Sequence, residues 1–416
     1  MRLEFGFGDG LKIVEAPDAN VVGILTPNEV QLGATGADAV VEALQNPIGT
    51  PRLSAIVKPG EKIAIITSDV TRPMPTAMVM PALLDELYLA GVKPEDITLV
   101  FGLGIHRGHT AEEMKKLAGE RAFREFRCVD SNPDDCVHYG LTKRGTPVDI
   151  TRVVAEADRR VCLGNIEYHY FAGYSGGGKA LMPGVSTRLA IQRNHSLMVN
   201  PDSCAGKLEG NPLREDIEEA ARMVGADFLL NVVLDEHKKI VRAVAGDMVK
   251  AHRAGCDFLD KFYLKPIPAR ADIVLVSQGG APKDLNLYQT QKALDNAKHA
   301  VKPGGVVILI GSCREGMGEH TFEEWMTTSP TPESMIERIR RDFRLGGHKA
   351  AAIAMVLESA DIYLVSDLPD DFVRRIFLKP FPSAQAALDA ALEKLGKDAT
   401  ILSMPYGGST LPRAQS

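Results

Sequence analysis

The chain lacks the features that would place it in a membrane, on a nucleic acid or in a disulfide-stapled fold. None of its apolar stretches approaches the ~18 uninterrupted residues that a bilayer crossing requires, so a membrane span is excluded. The opening Met1-Arg2-Leu3-Glu4-Phe5-Gly6-Phe7-Gly8-Asp9-Gly10 has no apolar core and does not read as a secretory signal. No basic run stands out: 48 Lys and Arg face 54 Asp and Glu, and a formal charge of −6 offers no footprint for nucleic acid. The cysteines (Cys128, Cys136, Cys162, Cys204, Cys256 and Cys313) are scattered, with no C-x-x-C pair. That pattern fits reduced thiols in a cytoplasm and argues against a disulfide framework or a Cys-rich zinc site. There is no internal repeat, low-complexity segment or coiled coil.

The remainder is an ordinary globular composition. At about 150 residues per domain, 416 residues suggest two or three domains. With 45% apolar and 25% charged residues, the chain can bury enough surface to offset the entropy of ordering it. A soluble, cytoplasmic protein acting on a small molecule is expected.

Short apolar runs alternate with helical patterns. Strands are expected at 62–67, 96–101, 160–163, 272–276, 306–310, 361–365 and 400–403, and most are followed by Ser or Gly. Helices are expected at 76–90, 110–117, 187–198, 212–223, 287–300, 333–341, 348–359 and 383–395. Residues 228–244, with two apolar runs around Asp235-Glu236-His237-Lys238-Lys239, read as an antiparallel hairpin. The fold class is therefore α/β, with two domains of mainly parallel sheets and an active-site cleft between them at the carboxyl ends of the strands. The Pro-punctuated stretch Leu264-Lys265-Pro266-Ile267-Pro268-Ala269-Arg270 marks the boundary. The expected domains are 1–266 and 267–403, with an irregular tail, 404–416, packing back on the first.

Several clusters near strand ends could carry chemistry. Ser68-Asp69-Val70-Thr71-Arg72-Pro73 could clamp an anion through the Arg72 fork, or Asp69 could simply cap the next helix. Gly104-Ile105-His106-Arg107-Gly108-His109 places two histidines among glycines, suited to acid–base work or metal ligation, or to a solvated turn. Glu167 to Gly184 is the densest cluster, with Tyr168, His169, Tyr170, Phe171 and Tyr174 before Gly176-Gly177-Gly178-Lys179. Gly173 to Lys179 has the G-x-x-x-x-G-K form of a phosphate loop, but Ala180 stands where Ser or Thr must reach Mg²⁺ and Pro183-Gly184 stops the required helix. A glycine loop presenting one lysine, a good covalent anchor when desolvated, survives this test. His195 lies sixteen residues beyond Lys179 on a helix. Tyr288, Gln289 and Lys292 open a helix and suit carboxylate binding, or form a solvated amphipathic face.

Taken in order, SDVTRP (68–73), G-x-H-R (104–107), EYHYFAGYSGGGKALMPG (167–184), His195 and YQTQKAL (288–294) resemble the nickel-pincer lactate racemase family of 2-hydroxyacid racemases and epimerases. The resemblance runs along nearly the whole chain. It implies a nickel-pincer nucleotide (pyridinium-3,5-bisthiocarboxylic acid mononucleotide with Ni) bound covalently to Lys179, with His195 as the metal ligand. His106 and His169 correspond to the catalytic histidines. Asp69, Thr71, Gly176, Gly177 and Gly178 surround the cofactor. Arg72, Tyr288, Gln289 and Lys292 correspond to substrate contacts. The implied reaction inverts C2 of a 2-hydroxy acid by moving hydride to the cofactor and back, through a transient 2-keto acid. The implied partners are the small-molecule substrate and the cofactor-assembly enzymes, with no nucleic acid and no membrane.

Members acting on lactate usually carry a Trp near 345–350, where this chain has Leu345-Gly346-Gly347-His348-Lys349 and its single Trp is Trp325. A larger or more polar 2-hydroxy acid is thereby implied, with His348 either a substrate contact or a helix-start residue. The competing readings are a phosphotransferase using Lys179, a zinc hydrolase using His106, His109 and His169, and a non-catalytic carrier of the nickel cofactor.

Overall fold

The computed structural model describes residues 1–235 and 238–414. Contacts divide the chain into two compact units, Val30–Lys261 and a second made of Met1–Glu29 with Phe262–Ser416.

The unit Val30–Lys261 is built on a six-stranded sheet. Its spatial order is Ile240–Gly246, Phe228–Leu234, Arg159–Ile166, Ile63–Ser68, Ile97–Gly102 and Arg127–Asp130. All neighbours are parallel except the first pair, which is antiparallel as the expected hairpin requires. Glu236 and His237 of its turn lie outside the described residues. The inner strands are apolar without alternation because helices cover both faces. Ile65, Leu99, Phe101, Val161 and Leu230 share one core with helices Gly36–Gln45 and Thr76–Leu89. From Ile63–Ser68 the chain steps outward through Ile97–Gly102 to Arg127–Asp130, then returns to the other side at Arg159–Ile166. The order therefore reverses between strands 63–68 and 159–166, the position outside the carboxyl ends at which open α/β sheets bind ligands.

The other unit carries a second six-stranded sheet, ordered Lys379–Pro380, Asp361–Val365, Val301–Ile310, Ala271–Ser277, Ile401–Met404 and Val21–Ile24, parallel throughout. The N-terminal hairpin of Arg2–Phe7 with Gly10–Glu15 packs Leu3, Phe5 and Val14 into the same core as Ile273, Ile308 and Leu388.

This arrangement differs from the expected division at 266. Residues 1–29 belong with the C-terminal part, since Val21–Ile24 is the edge strand beside Ile401–Met404. The Pro-rich stretch read as a linker is a strand, Leu264–Ile267, parallel to Leu411–Ala414. The described part of the tail, 404–414, is thus ordered within the unit that holds Phe262–Ser416. Both departures have one cause: a short strand whose partner lies more than a hundred residues away has no local signature, and Pro is tolerated at sheet edges. No helix among the described residues is long and apolar enough to cross a membrane.

Asn20 ties the N-terminal segment to the C-terminal helix–strand connection by donating from Nδ2 to the carbonyls of Lys397 (2.7 Å) and Ala399 (2.9 Å). Asn20→Ala leaves the Ala399 carbonyl buried and unpaired, so denaturant unfolding should show a loss of about 1–3 kcal/mol. An unchanged midpoint would mean that the Asn20 bonds add nothing to that unit.

Candidate active site

Strand Ile63–Ser68 ends directly at Asp69, which is almost wholly buried. Asp69 Oδ1 accepts from the Thr71 hydroxyl (2.8 Å), and its other oxygen accepts from His106 Nδ1, which arrives on the loop after strand Ile97–Gly102. Burial works to raise the Asp69 carboxyl, but the bond and charge of His106, the Thr71 hydroxyl and the Arg72 guanidinium hold it below its ordinary value. The carboxylate therefore fixes the imidazole with its proton on Nδ1, leaving the Nε2 lone pair for another partner. Arg72 is exposed, and no hydrogen bond or ion pair engages its guanidinium among the described residues. It is a cation awaiting an anion.

His109 has a different task. Its side chain is fully buried, Nδ1 donates to Asp130 Oδ1 (2.6 Å), and Nε2 accepts from the Val70 amide (3.0 Å). Both nitrogens are committed, so the ring is a strut holding the 69–72 loop. His106 and His109 take separate carboxylates and do not converge as the zinc-hydrolase reading needs.

Beyond strand Arg159–Ile166, Tyr168–His169 pairs antiparallel with Gly173–Tyr174, which turns the aromatic run back on itself. His169 stacks on Tyr170 (5.4 Å, 9°) and meets Phe171 edge-on at 4.4 Å. Its Nδ1 accepts from the Ala172 amide (3.3 Å). Burial and the charges of Lys179, Arg72, His195 and Arg214 push the imidazole well below its ordinary pKa, so His169 is neutral. Phe171 is the hub of this side: Lys179 Nζ lies 5.9 Å above its ring, and His195, buried on helix Arg188–Ser196, meets it edge-on at 5.1 Å. Burial, then Arg72 and Arg214, drive the Lys179 amine well below the usual lysine range. Among the described residues it has no hydrogen-bond partner. An unengaged amine biased towards its neutral form is a nucleophile.

The glycines before Lys179 are set by packing. Gly176 (φ +73°) and Gly177 (φ +62°) turn through the left-handed region, and a Cβ at Gly176 would fall 2.5 Å from Asn231 Oδ1. The Gly177 amide donates to that same oxygen (2.9 Å). Only a short 3₁₀ turn, Gly177–Ala180, follows. With that amide occupied and no α-helix behind it, the loop is not a phosphate cradle.

In the unit containing Phe262–Ser416, Asn286 caps helix Leu287–Ala297, which carries Tyr288, Gln289 and Lys292. The structure adds Lys349, which sequence reasoning passed over. It is 6% exposed, donates to the Tyr288 carbonyl (2.8 Å) and lies 4.4 Å above the Tyr288 ring. Burial, with Lys292 adding to it and Asp295 opposing, pushes its amine down to about 7. His348 Nδ1 accepts from the Gly346 amide (3.0 Å) in the first helical turn, as a helix-start residue does. Trp325 is wholly buried against Gly347 and is a packing residue. Arg214 was also missed, because its helix Pro212–Val224 reads as charged and amphipathic, yet its side chain is wholly enclosed.

These groups can bind a carboxylate, hold a proton at one histidine and accept one at another, and offer an amine and an imidazole to a cofactor. Among the described residues no group of three or more His, Cys, Asp or Glu is placed to hold a metal ion by side chains alone.

The chain matches two family models in succession, the lactate racemase N-terminal domain over residues 7–206 and the lactate racemase C-terminal domain over 267–411. It is 35% identical to a lactate racemase of Thermoanaerobacterium thermosaccharolyticum, with 99% of each chain covered. With a lactate racemase of Lactiplantibacillus plantarum it shares 33% identity over 89% of each. The structure of the Thermoanaerobacterium lactate racemase apoprotein superposes with a TM-score of 0.87 at 34% identity, covering 99% of this chain and 100% of that one. A Thermotoga maritima protein at 19% identity and TM-score 0.62, covering 93% and 100%, shares the fold.

Lys349 gives a pH test. Unfolded, its amine titrates near 10.5; folded, near 7. Between those values the unfolded chain holds the extra proton, so burying this lysine costs stability below pH 7 and the cost fades as pH rises towards 10.5. Lys349→Met should therefore stabilise the protein at about pH 6, on the order of 1–3 kcal/mol after loss of one hydrogen bond, and much less at about pH 10. Urea unfolding at the two pH values measures it; equal effects at both would refute the buried-amine reading.

Proposed function

The chain belongs to the lactate racemase family and is therefore a racemase, an isomerase by class; from that membership and the geometry above we propose that it inverts C2 of a 2-hydroxy acid. The observation that carries the reading is the Asp69–His106 pair set in one unit with a neutral His169 and an unengaged Lys179 amine.

The residues fit a nickel-pincer nucleotide. Lys179 supplies an amine free to form a covalent link, and His195 supplies an imidazole nitrogen of the kind nickel accepts. Asp69, Thr71, Gly176, Gly177 and Gly178 are assigned to the cofactor's surroundings. When bound, that cofactor accepts the C2 hydride and returns it.

The chain's own residues do the rest. Removing the C2 hydrogen as a proton would leave a carbanion beside a carboxylate; its loss as hydride, with the hydroxyl proton passing to a base, leaves a planar 2-keto acid that carries only its carboxylate charge. Arg72 holds the carboxylate through a bidentate fork. His106 takes the hydroxyl proton at Nε2, and Asp69 stabilises the imidazolium that results. His169, kept neutral by the surrounding cations, serves the opposite enantiomer, whose hydroxyl points elsewhere when the carboxylate is fixed. Tyr288, Gln289 and Lys292 are proposed as further substrate contacts. With Gly346-Gly347-His348 where lactate-acting members carry a Trp, the substrate proposed is a 2-hydroxy acid larger or more polar than lactate. A cytoplasmic setting, with cofactor-assembly enzymes as partners, is part of this proposal. It is supported by six cysteines that form no disulfide.

Co-expression with pincer-assembly enzymes should give a nickel-bearing mass adduct that Lys179→Ala abolishes, together with inversion of C2 in a panel of lactate and larger 2-hydroxy acids. An adduct without inversion of any of them would make the protein a carrier. No adduct, under conditions that load a lactate racemase, would end the racemase reading. In the loaded enzyme Asp69→Asn should lower kcat by roughly 10²–10⁴-fold with the adduct intact, because the imidazole loses its orientation and its counter-charge.

A further inference from the structure

The loop that leads to Lys179 is held from behind by side chains that touch no solvent. Arg214, 0% exposed, donates from Nε to the Ala172 carbonyl (3.2 Å), from one terminal nitrogen to the Gly176 carbonyl (3.4 Å) and from the other to the Tyr174 carbonyl. The Ser175 carbonyl between them accepts from His252 Nε2 (2.8 Å). Asn211, the residue that caps the Arg214 helix, donates to the Phe171 carbonyl (2.9 Å). Carbonyls at 171, 172, 174, 175 and 176 are thus capped by three buried side chains. The nearest carboxylate to Arg214 is Glu218 at 4.0 Å, and Glu218 is already engaged by Arg253 through two bonds (2.7 and 3.2 Å).

We infer that Arg214 is the positioning residue for the cofactor lysine: its guanidinium fixes the 172–176 loop in the shape that presents the Lys179 amine, and sets a permanent, weakly neutralised positive charge behind it. The charge matters as much as the shape. A cation beside an amine disfavours its ammonium form. Around Lys179 the cations are Arg72, which is exposed, and Arg214, which is buried, while Glu167 is the opposing carboxylate. His252 touches the same loop but is held neutral, chiefly by burial and then by the Arg214 charge, so it braces without charging.

That contrast makes the test. The inference rests on the reading of Lys179 as the attachment point, but the apoprotein reads the amine without any cofactor. N-hydroxysuccinimidyl acetate transfers its acetyl group to a neutral amine: the amide C–N bond forms, the ester C–O bond breaks, and the proton lost by the amine leaves on N-hydroxysuccinimide. Acetylation of the peptide containing Lys179 is followed by mass spectrometry across pH. In the parent protein half-maximal reactivity should fall below the ordinary lysine range. Arg214→Met should raise that midpoint by about one pH unit or more. His252→Gln should leave it unmoved, even where it lowers the melting temperature. An unmoved midpoint in folded Arg214→Met, or an equal shift in His252→Gln, would overturn the inference. Should Arg214→Met fail to fold, Arg214→Lys decides: the charge stays and the three-carbonyl fork is lost, so the midpoint stays low while the limiting rate falls several-fold. A limiting rate equal to the parent's would overturn it. Nickel-bearing adduct formation in co-expressed parent protein tests the attachment reading separately, so the two failures cannot be confused.

Discussion

Parallel strands share one polarity, so every loop that leaves their carboxyl ends emerges on the same side of the sheet. This constraint gathers the site. Asp69 follows strand 63–68, His106 follows 97–102 and His169 follows 159–166, three segments separated by dozens of residues in sequence. The order of strands reverses between 63–68 and 159–166, the position at which open α/β sheets bind ligands. Helices cannot build such a convergence so cheaply, because their ends point in alternate directions along a bundle.

The same region accumulates positive charge. Arg72 and Arg214 both act on Lys179 and His169, and the buried carboxylate among them is Asp69, already committed to His106. A field of this sign attracts an anionic substrate and adds to burial in biasing both His169 and Lys179 towards their neutral forms. One arrangement therefore serves binding and chemistry together.

Much of this was legible in the sequence, for a physical reason. Strands buried on both faces are apolar runs, and residues that project from their ends follow within a few positions, so Asp69, His106 and His169 are candidates read just past each run, while Lys179 stands out by the glycine loop before it. What stayed hidden depends on long-range contact. His109 looked like a partner of His106 until Asp130 and Val70 took both its nitrogens. Arg214 sits in Leu213-Arg214-Glu215-Asp216, a stretch that reads as a solvated helix start, and only the fold shows that loop carbonyls replace water around it. Lys349 was hidden in the same way, since a lysine in an alanine-rich helix looks like a surface residue until Tyr288 closes over it. The place of residues 1–29 stayed hidden because Val21–Ile24 carries no mark of its partner, Ile401–Met404.

That last pairing has a consequence for how the protein is made. The Val30–Lys261 unit is an insertion within the other: the chain enters it after Glu29 and leaves it at Phe262, where the Asn28 amide meets the Phe262 carbonyl (2.8 Å). During synthesis, which runs from the amino end, the inserted unit has its whole sequence outside the ribosome long before the enclosing one does, and domains fold as units once they are complete. The first twenty-nine residues must wait, because Val21 takes its place beside Ile401 only when nearly the entire polypeptide has emerged. The module bearing the histidines and the lysine thus matures early, while the unit that begins the chain is the last to close.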